Sequence, residues 1–280
     1  METQGWPVRA GFCGAARLGG CATGLPLDLS SLAEVRRFAH DLPPLHAVVC
    51  NAGIQTVSGT VLTKDGIEQT FGVNHLAHFL LVQQILPHMA TPGRVVFVAS
   101  DTHDPSKHTG MPAPVYTNAH SLAYPGEDGS ENPRLIGQRR YTTSKLCNVL
   151  AAYEFARRVP AETATVHAFD PGLMPGTGLA RDYHGVQAFF WHYVLPTLTV
   201  LPGLNIHTPR QSGAALARLV LDPELAGTTG RYFSGRREIR SSEESYDVNK
   251  AADLWRTSTT MCHPSDDDES ESDSSSSELD

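Results

Sequence analysis

The sequence predicts a doubly wound α/β fold built on a parallel sheet, and three observations predict it. Short apolar runs alternate with helix-period segments through the middle of the chain. Those runs end at Asn51, Ser100 and Pro171, so polar and turn-forming residues gather at the carboxyl ends of consecutive strands. Charge is balanced once a short tail is set aside: eight of the 30 acidic residues lie in 265–280, leaving 22 acidic against 22 basic residues in 1–264. A neutral body lacks the basic face that nucleic-acid binding needs. With 40% apolar residues, the body can bury a sizeable core.

The elements follow in order. LPLD at 25–28 reads as a strand end, and Ser31 with Glu34 three residues on forms a capping box that opens a helix to about Leu42. HAVVC at 46–50 is a buried strand followed by Asn51-Ala52-Gly53. Ile67, Phe71, Asn74, Phe79, Gln83 and Leu86 mark a helix before the turn Thr91-Pro92-Gly93. RVVFVAS at 94–100 is the next strand, 141–158 a helix with Leu146, Val149, Leu150 and Tyr153 on its apolar side, and TVHAFD at 165–170 a further strand ending at Pro171-Gly172. Strand–helix alternation of this kind means right-handed βαβ units. The acidic, aromatic-free tail from 261 on cannot bury enough surface to offset its ordering entropy and is expected to be disordered.

The five cysteines are scattered and never form a CxxC pair, which excludes a disulfide framework or zinc site and points to a reducing, cytoplasmic setting. No continuous apolar signal segment opens the chain. Residues 183–209 carry no Asp, Glu or Lys and only one Pro-interrupted apolar run, broken by Gln187, His192, Pro196, Pro202 and Gly203. As a span this is poor; a flap over a pocket, or a face resting peripherally on membrane, suits it better. His103, His108 and His120 lack metal-ligand spacing, so no metal is expected.

Tyr141-Thr142-Thr143-Ser144-Lys145 carries the chemistry. Positions four apart share a helix face, so an ammonium at 145 can approach a phenol at 141. An unperturbed tyrosine, with a pKa of about 10, is a poor acid–base catalyst near neutrality, and a nearby cation favours its phenolate. Alone, the pair is as well explained by two surface residues. In register with Asn51-Ala52-Gly53, Ser100 and Pro171-Gly172, it is not.

Asp28, CNAG at 50–53, FGVNHLAHF at 71–79, VVFVAS ending at Ser100, YTTSK at 141–145 and DPG at 170–172 stand in the order of the short-chain dehydrogenase/reductase family, which the sequence resembles over about 25–254. TKDGIEQTFGVNHLAHF, SKLCNVL and SYDVNKAADLW most resemble its retinol dehydrogenase and protochlorophyllide reductase-like branch. The resemblance implies a Rossmann-like sheet and an NAD(P)-dependent oxidoreductase moving hydride between nicotinamide and a carbonyl/alcohol substrate, with NADP favoured over NAD. It implies Tyr141 as general acid/base, Lys145 as the group that lowers its pKa and binds ribose, Ser100 as a hydrogen-bonding partner of the substrate oxygen, and Asn74 as holder of a relay water. Asp28 would meet adenine, Asn51, Ala52 and Gly53 would line the cofactor, and Pro171 and Gly172 would border the nicotinamide. The bland alternatives are a helix-start role for Asp28, a structural amide at Asn74, and backbone conformation alone at Gly53 and Gly172.

Three departures qualify the resemblance. At the family's carboxamide-binding threonine position stands Gly176, with Thr177 next. Leu173 replaces the cysteine that follows Pro-Gly in light-dependent protochlorophyllide reductases. The largest lies at the start, where the family carries a strand and a TGxxxGxG phosphate loop. Only 27 residues precede Asp28, and the glycines of 14–20 have the wrong spacing. The expectation is an atypical segment 1–24, a family-like domain 25–260 lacking its first βα unit, and the tail 261–280. The second reading is therefore a cofactor-deficient interaction protein or incomplete product without activity. Phe189, Phe190, Trp191 and Tyr193 favour a bulky apolar substrate, or else pack on the core or on a second copy in a homo-oligomer.

Overall fold

The computed structural model describes residues 23–57, 59–174 and 205–263. The glycines of 14–20, Thr177, the aromatic residues of 189–193 and the acidic tail at 265–280 lie outside the described residues.

Helix α1 (Leu32–His40) starts where the capping pattern places it, with the Ser31 hydroxyl accepting from the Glu34 N–H, and buries Leu32, Val35 and Ala39. Strand β1 (Ala47–Cys50) follows. Helix α2 (Ala77–Ile85) continues a helical turn, Gln69–Phe71, and a π-helical turn, Gly72–Leu76. Next come β2 (Gly93–Val98), a short α3 (Ala119–Ala123), α4 (Pro133–Arg158) and β3 (Ala164–Asp170). After the undescribed stretch come α5 (Pro209–Leu221), the hairpin β4 (Arg231–Ser234) and β5 (Arg237–Ile239), and α6 (Val248–Cys262).

The sheet order is β1-β2-β3-β4-β5, with the first three pairings parallel and the last antiparallel. Pleating sends alternate residues to opposite faces. Val95 and Phe97 join one core cluster with α1, α2, α4 and α6, whereas Val96, Val98 and Phe169 join a second under α5 with Ala215 and Leu219. Among the described residues β1 is hydrogen-bonded on one side only, and its Val49 is 37% exposed.

Three expectations need correction. Residues 25–28 form no strand; the Asp28 carboxylate instead accepts the Ser30 N–H, bending the chain toward the α1 cap. The tyrosine helix starts at Pro133, well before Tyr141, because Asn132 caps it through the Arg134 N–H and Pro133 fills a first-turn position that needs no N–H donor. The helix expected at 31–42 is shorter, ending at His40.

Candidate active site

Helix α4 fixes the site because it is buried on every side: all residues from Tyr141 to Phe155 are buried. Its approach to the loop after β1 depends on Gly137, where a Cβ would lie 1.8 Å from the Thr56 carbonyl oxygen. One turn later Tyr141 enters a cavity of about 1160 Å³ at the carboxyl ends of the strands. Asn51, Gly53, Ser100, Lys145, Pro171 and Gly172 line the same cavity.

Asn74, in the π-helical turn, lies behind that lining. Its amide oxygen accepts the Ile54 N–H at 2.7 Å, while its NH₂ donates to Ile54 O at 2.9 Å and Ser144 Oγ at 3.0 Å. It is fully buried and clamps the backbone just beyond Gly53. Ala52 and Asp28 do not line the cavity; Asp28 pairs with Lys64 at 2.9 Å. The π-turn has its own anchor: the buried Glu68 carboxylate accepts the Thr70 and Phe71 N–H groups at 2.9 and 2.7 Å.

Lys145 Nζ donates to Val98 O at 3.2 Å and lies 5.5 Å from the Tyr141 ring centroid. Burial pushes its pKa down to about 8, against the opposing pull of the Asp170 carboxylate. Tyr141 moves the other way from the expected lowering. Burial raises its pKa, and the Asp170 and Asp101 carboxylates add to the rise. In this arrangement the phenol holds its proton firmly.

The carboxylate pair escaped the sequence reading. Asn205 Nδ2 donates to both Asp101 Oδ2 and Asp170 Oδ2 at 2.8 Å, and Asp170 also accepts from Gly172 N–H and Ser234 Oγ at 2.9 and 3.0 Å. Burial and then the neighbouring Asp170 charge raise the Asp101 pKa. Gly172 has φ +74°, and a Cβ there would meet Asn205 Oδ1 at 2.8 Å, so this turn requires glycine.

Ser100 caps a short 3₁₀ turn, Asp101–His103, by accepting the Thr102 N–H at 3.3 Å. His103, completely buried, braces it from behind. Its Nε2 accepts the Ser242 N–H at 3.1 Å, so Nδ1 carries the ring proton and donates to Ser100 O at 2.5 Å. Burial lowers its pKa and keeps the ring neutral.

Gly53 lies beside the Lys145 ammonium. A Cβ there would lie 3.4 Å from Lys145 Nζ and 3.5 Å from Asn74 Oδ1. Both are ordinary contact distances, so the space here does not demand glycine, and Lys145 lines the cavity beside it. Among the described residues no group of three or more His, Cys, Asp or Glu is placed to hold a metal ion, and no helix is long and apolar enough to cross a membrane.

Comparison with known proteins follows this geometry. Residues 13–117 match the family model for short chain dehydrogenases, a stretch that starts ahead of the region where the resemblance is read and stops short of Tyr141. Protochlorophyllide reductase B, chloroplastic, of Oryza sativa subsp. japonica is 32% identical over 302 aligned residues, covering 96% of this chain and 74% of that protein. The WW domain-containing oxidoreductase of Danio rerio is 32% identical over 85% of this chain, which spans only 55% of that relative's length. Among solved structures, a protein from Mycobacterium paratuberculosis superposes with a TM-score of 0.60 at 27% identity, covering 91% of this chain and 81% of that one.

Proposed function

The chain belongs to the short-chain dehydrogenase/reductase family, and from that premise we propose that it is an NAD(P)-dependent oxidoreductase acting on a small-molecule carbonyl/alcohol pair. The observation that carries the reading is one cavity holding Ser100, Tyr141 and Lys145 together with Asn51, Gly53, Pro171 and Gly172.

A bound reduced nicotinamide supplies the hydride to the carbonyl carbon. The protein's own residues handle the proton and the geometry. Ser100 Oγ, held only by long 3.3 Å bonds to Asp101 and Thr102, is free to turn and donate to the carbonyl oxygen. Tyr141 transfers its phenolic proton to that oxygen as negative charge develops there. Lys145 then faces the new phenolate, and its ammonium stabilises the charge. Asn74 keeps the Gly53–Ile54 backbone out of the way of the ammonium. Because burial and then the Asp170 and Asp101 carboxylates oppose the phenolate, Tyr141 rests as a proton donor, which suits carbonyl reduction better than alcohol oxidation. NADP is preferred over NAD by likeness of family; Asp28, engaged by Lys64, offers no contrary preference.

A second reading, a family member without turnover, is favoured by the pairing of β1 on one side only among the described residues and by the exposure of Asn51 and Ala52 at its end. Titrating the purified chain with NADPH and NADH, followed by tryptophan fluorescence, separates the two. Saturable micromolar binding supports the oxidoreductase, and a folded protein that binds neither supports the second reading.

A further inference from the structure

We propose that the cavity selects carbonyl compounds carrying an oxyanion group, a carboxylate or phosphate, held by Arg236 and Arg237 on the β4–β5 hairpin with Arg240 beyond it and Lys107 on another wall. The inference rests on the oxidoreductase reading of the cavity and names its substrate class. These four cations line the same cavity as Ser100, Tyr141 and Lys145.

The pleat of the hairpin sorts its charges. Tyr232 pairs with Ile239 and Ser234 with Arg237, and all four line the cavity. Glu238, the hairpin's only acid, points to the opposite face and pairs there with Arg231 at 3.3 Å. The acid is thus turned away while Arg237 faces inward. The hairpin is also fixed relative to the catalytic groups. Gly235, at φ +55°, donates its N–H to Asp170 O at 2.9 Å, and Ser234 Oγ donates to the Asp170 carboxylate. From α5, Arg218 Nη1 donates to Arg236 O at 3.0 Å and holds the turn from the other side.

The cavity's acids offset its cations only in part: Asp101, Asp104 and Asp170 stand against Lys107, Lys145, Arg236, Arg237 and Arg240. Asp170 and Asp101 both accept from Asn205, and Asp104 accepts from Ser106 N–H and Oγ. By contrast, the side chains of Lys107, Arg236 and Arg237 make no hydrogen bond or ion pair with another described residue. Arg240 lies over the Tyr246 ring at 5.3 Å, which leaves the edges of its guanidinium available. Guanidinium forks match carboxylate and phosphate oxygens in pairs. Cations at the mouth of a low-dielectric cleft also draw anions in.

The test compares terephthalaldehydic acid with its neutral methyl ester, and para-formylphenyl phosphate with para-anisaldehyde, as substrates of the full chain with NADPH. The acid should exceed its ester in kcat/KM by about tenfold, mostly through KM, with the margin shrinking as salt is raised. Arg236→Glu with Arg237→Glu should bring the ratio to one or below. Arg37→Glu, an equal charge change per residue on exposed α1, should leave the ratio as it was. Calorimetric titration with terephthalate reads the anion site without turnover. Terephthalate binding that the double variant loses supports the site even if no aldehyde is reduced, in which case the oxidoreductase reading alone falls. Acid and ester turned over equally, or no terephthalate binding, overturns the inference while leaving any observed hydride transfer intact. The better of the phosphate and carboxylate substrates identifies which oxyanion is meant.

Discussion

The two faces of the sheet are built to different depths. On one, α1, α2, α4 and α6 pack around an aromatic cluster in which Phe155 meets Trp255 at 4.7 Å, Phe79 at 5.3 Å and Phe97 at 5.6 Å. On the other, among the described residues, α5 lays Ala215 and Leu219 over Val96, Val98, Phe169 and Phe233. Tyr141 and Lys145 project from the deep face into the cavity, while Lys107, Arg236, Arg237 and Arg240 line it from an exposed loop and hairpin. The difference teaches a division of labour. Groups that must hold their positions within tenths of an ångström are set in close-packed surroundings, and groups that choose among ligands sit where packing constrains them least.

Four predictions probe that division. Tyr141→Phe should cost about two to four powers of ten in turnover with an unchanged urea midpoint; comparable turnover would remove the tyrosine from the chemistry. Phe155→Ala should lower unfolding free energy by about 3–5 kcal/mol, against about 2–3 kcal/mol for Leu219→Ala on the shallow face. Equal losses in chemical denaturation would mean the two faces are equally deep in energetic terms. Gly137→Ala should cost about 1–3 kcal/mol by forcing the Thr56 carbonyl away from α4, with a fall in turnover that Gly213→Ala, on α5 with open space around it, does not share.

The last prediction concerns pH. Burial holds His75 and His78 on the deep face, and His167 on the shallow one, at pKa values of about 3, 4 and 4. The unfolded chain, with histidines near 6.5, therefore binds more protons between pH 6.5 and 4, and stability should fall as the solution is acidified through that window. At the alkaline end the sign is the same, since Lys145 loses its proton at about 8 when folded and 10.5 when unfolded. Lys145 should raise stability from pH 8 to about 9, by at most about 1.4 kcal/mol, while turnover declines as the ammonium is discharged; above about pH 9 the Cys50, Cys147 and Cys262 thiols, all pushed up by burial, act with the opposite sign and stability should fall. Parallel rather than opposed trends in melting temperature and rate over the first of these intervals would take Lys145 out of either role.

Much of this was legible in the sequence where local pattern and burial agree. The β-branched runs at 46–50, 94–100 and 165–170 give β1, β2 and β3 to within two residues, and Ser31 with Glu34 marks the start of α1. The start of α4 was hidden because Asn132-Pro133 stands in a Gly- and Pro-rich stretch that reads as loop. Its buried length shows no polar stripe, so periodicity gives little help. The hairpin was missed because its strands are only four and three residues long, although Gly235-Arg236 between alternating residues is a two-residue turn signal. Asn51, Gly53, Ser100, Tyr141, Lys145, Pro171 and Gly172 line one cavity, whereas Asp28, Ala52 and Asn74 do not. The Asp101–Asn205–Asp170 cluster and the His103 brace were invisible, because each joins positions far apart in the chain with no local signature.

That brace has a consequence for how the site comes into being. His103 and Ser242 are separated by 139 positions. As the chain leaves the ribosome, the segments bearing Ser100, Tyr141 and Lys145 emerge long before the residue that steadies the serine's turn. Nascent protein can thus gather its strands β1 to β3 around α4 while the third reactive group is still unsupported. The site is finished from the carboxyl end, and a protease nick near Arg240 would separate a folded body from a working one.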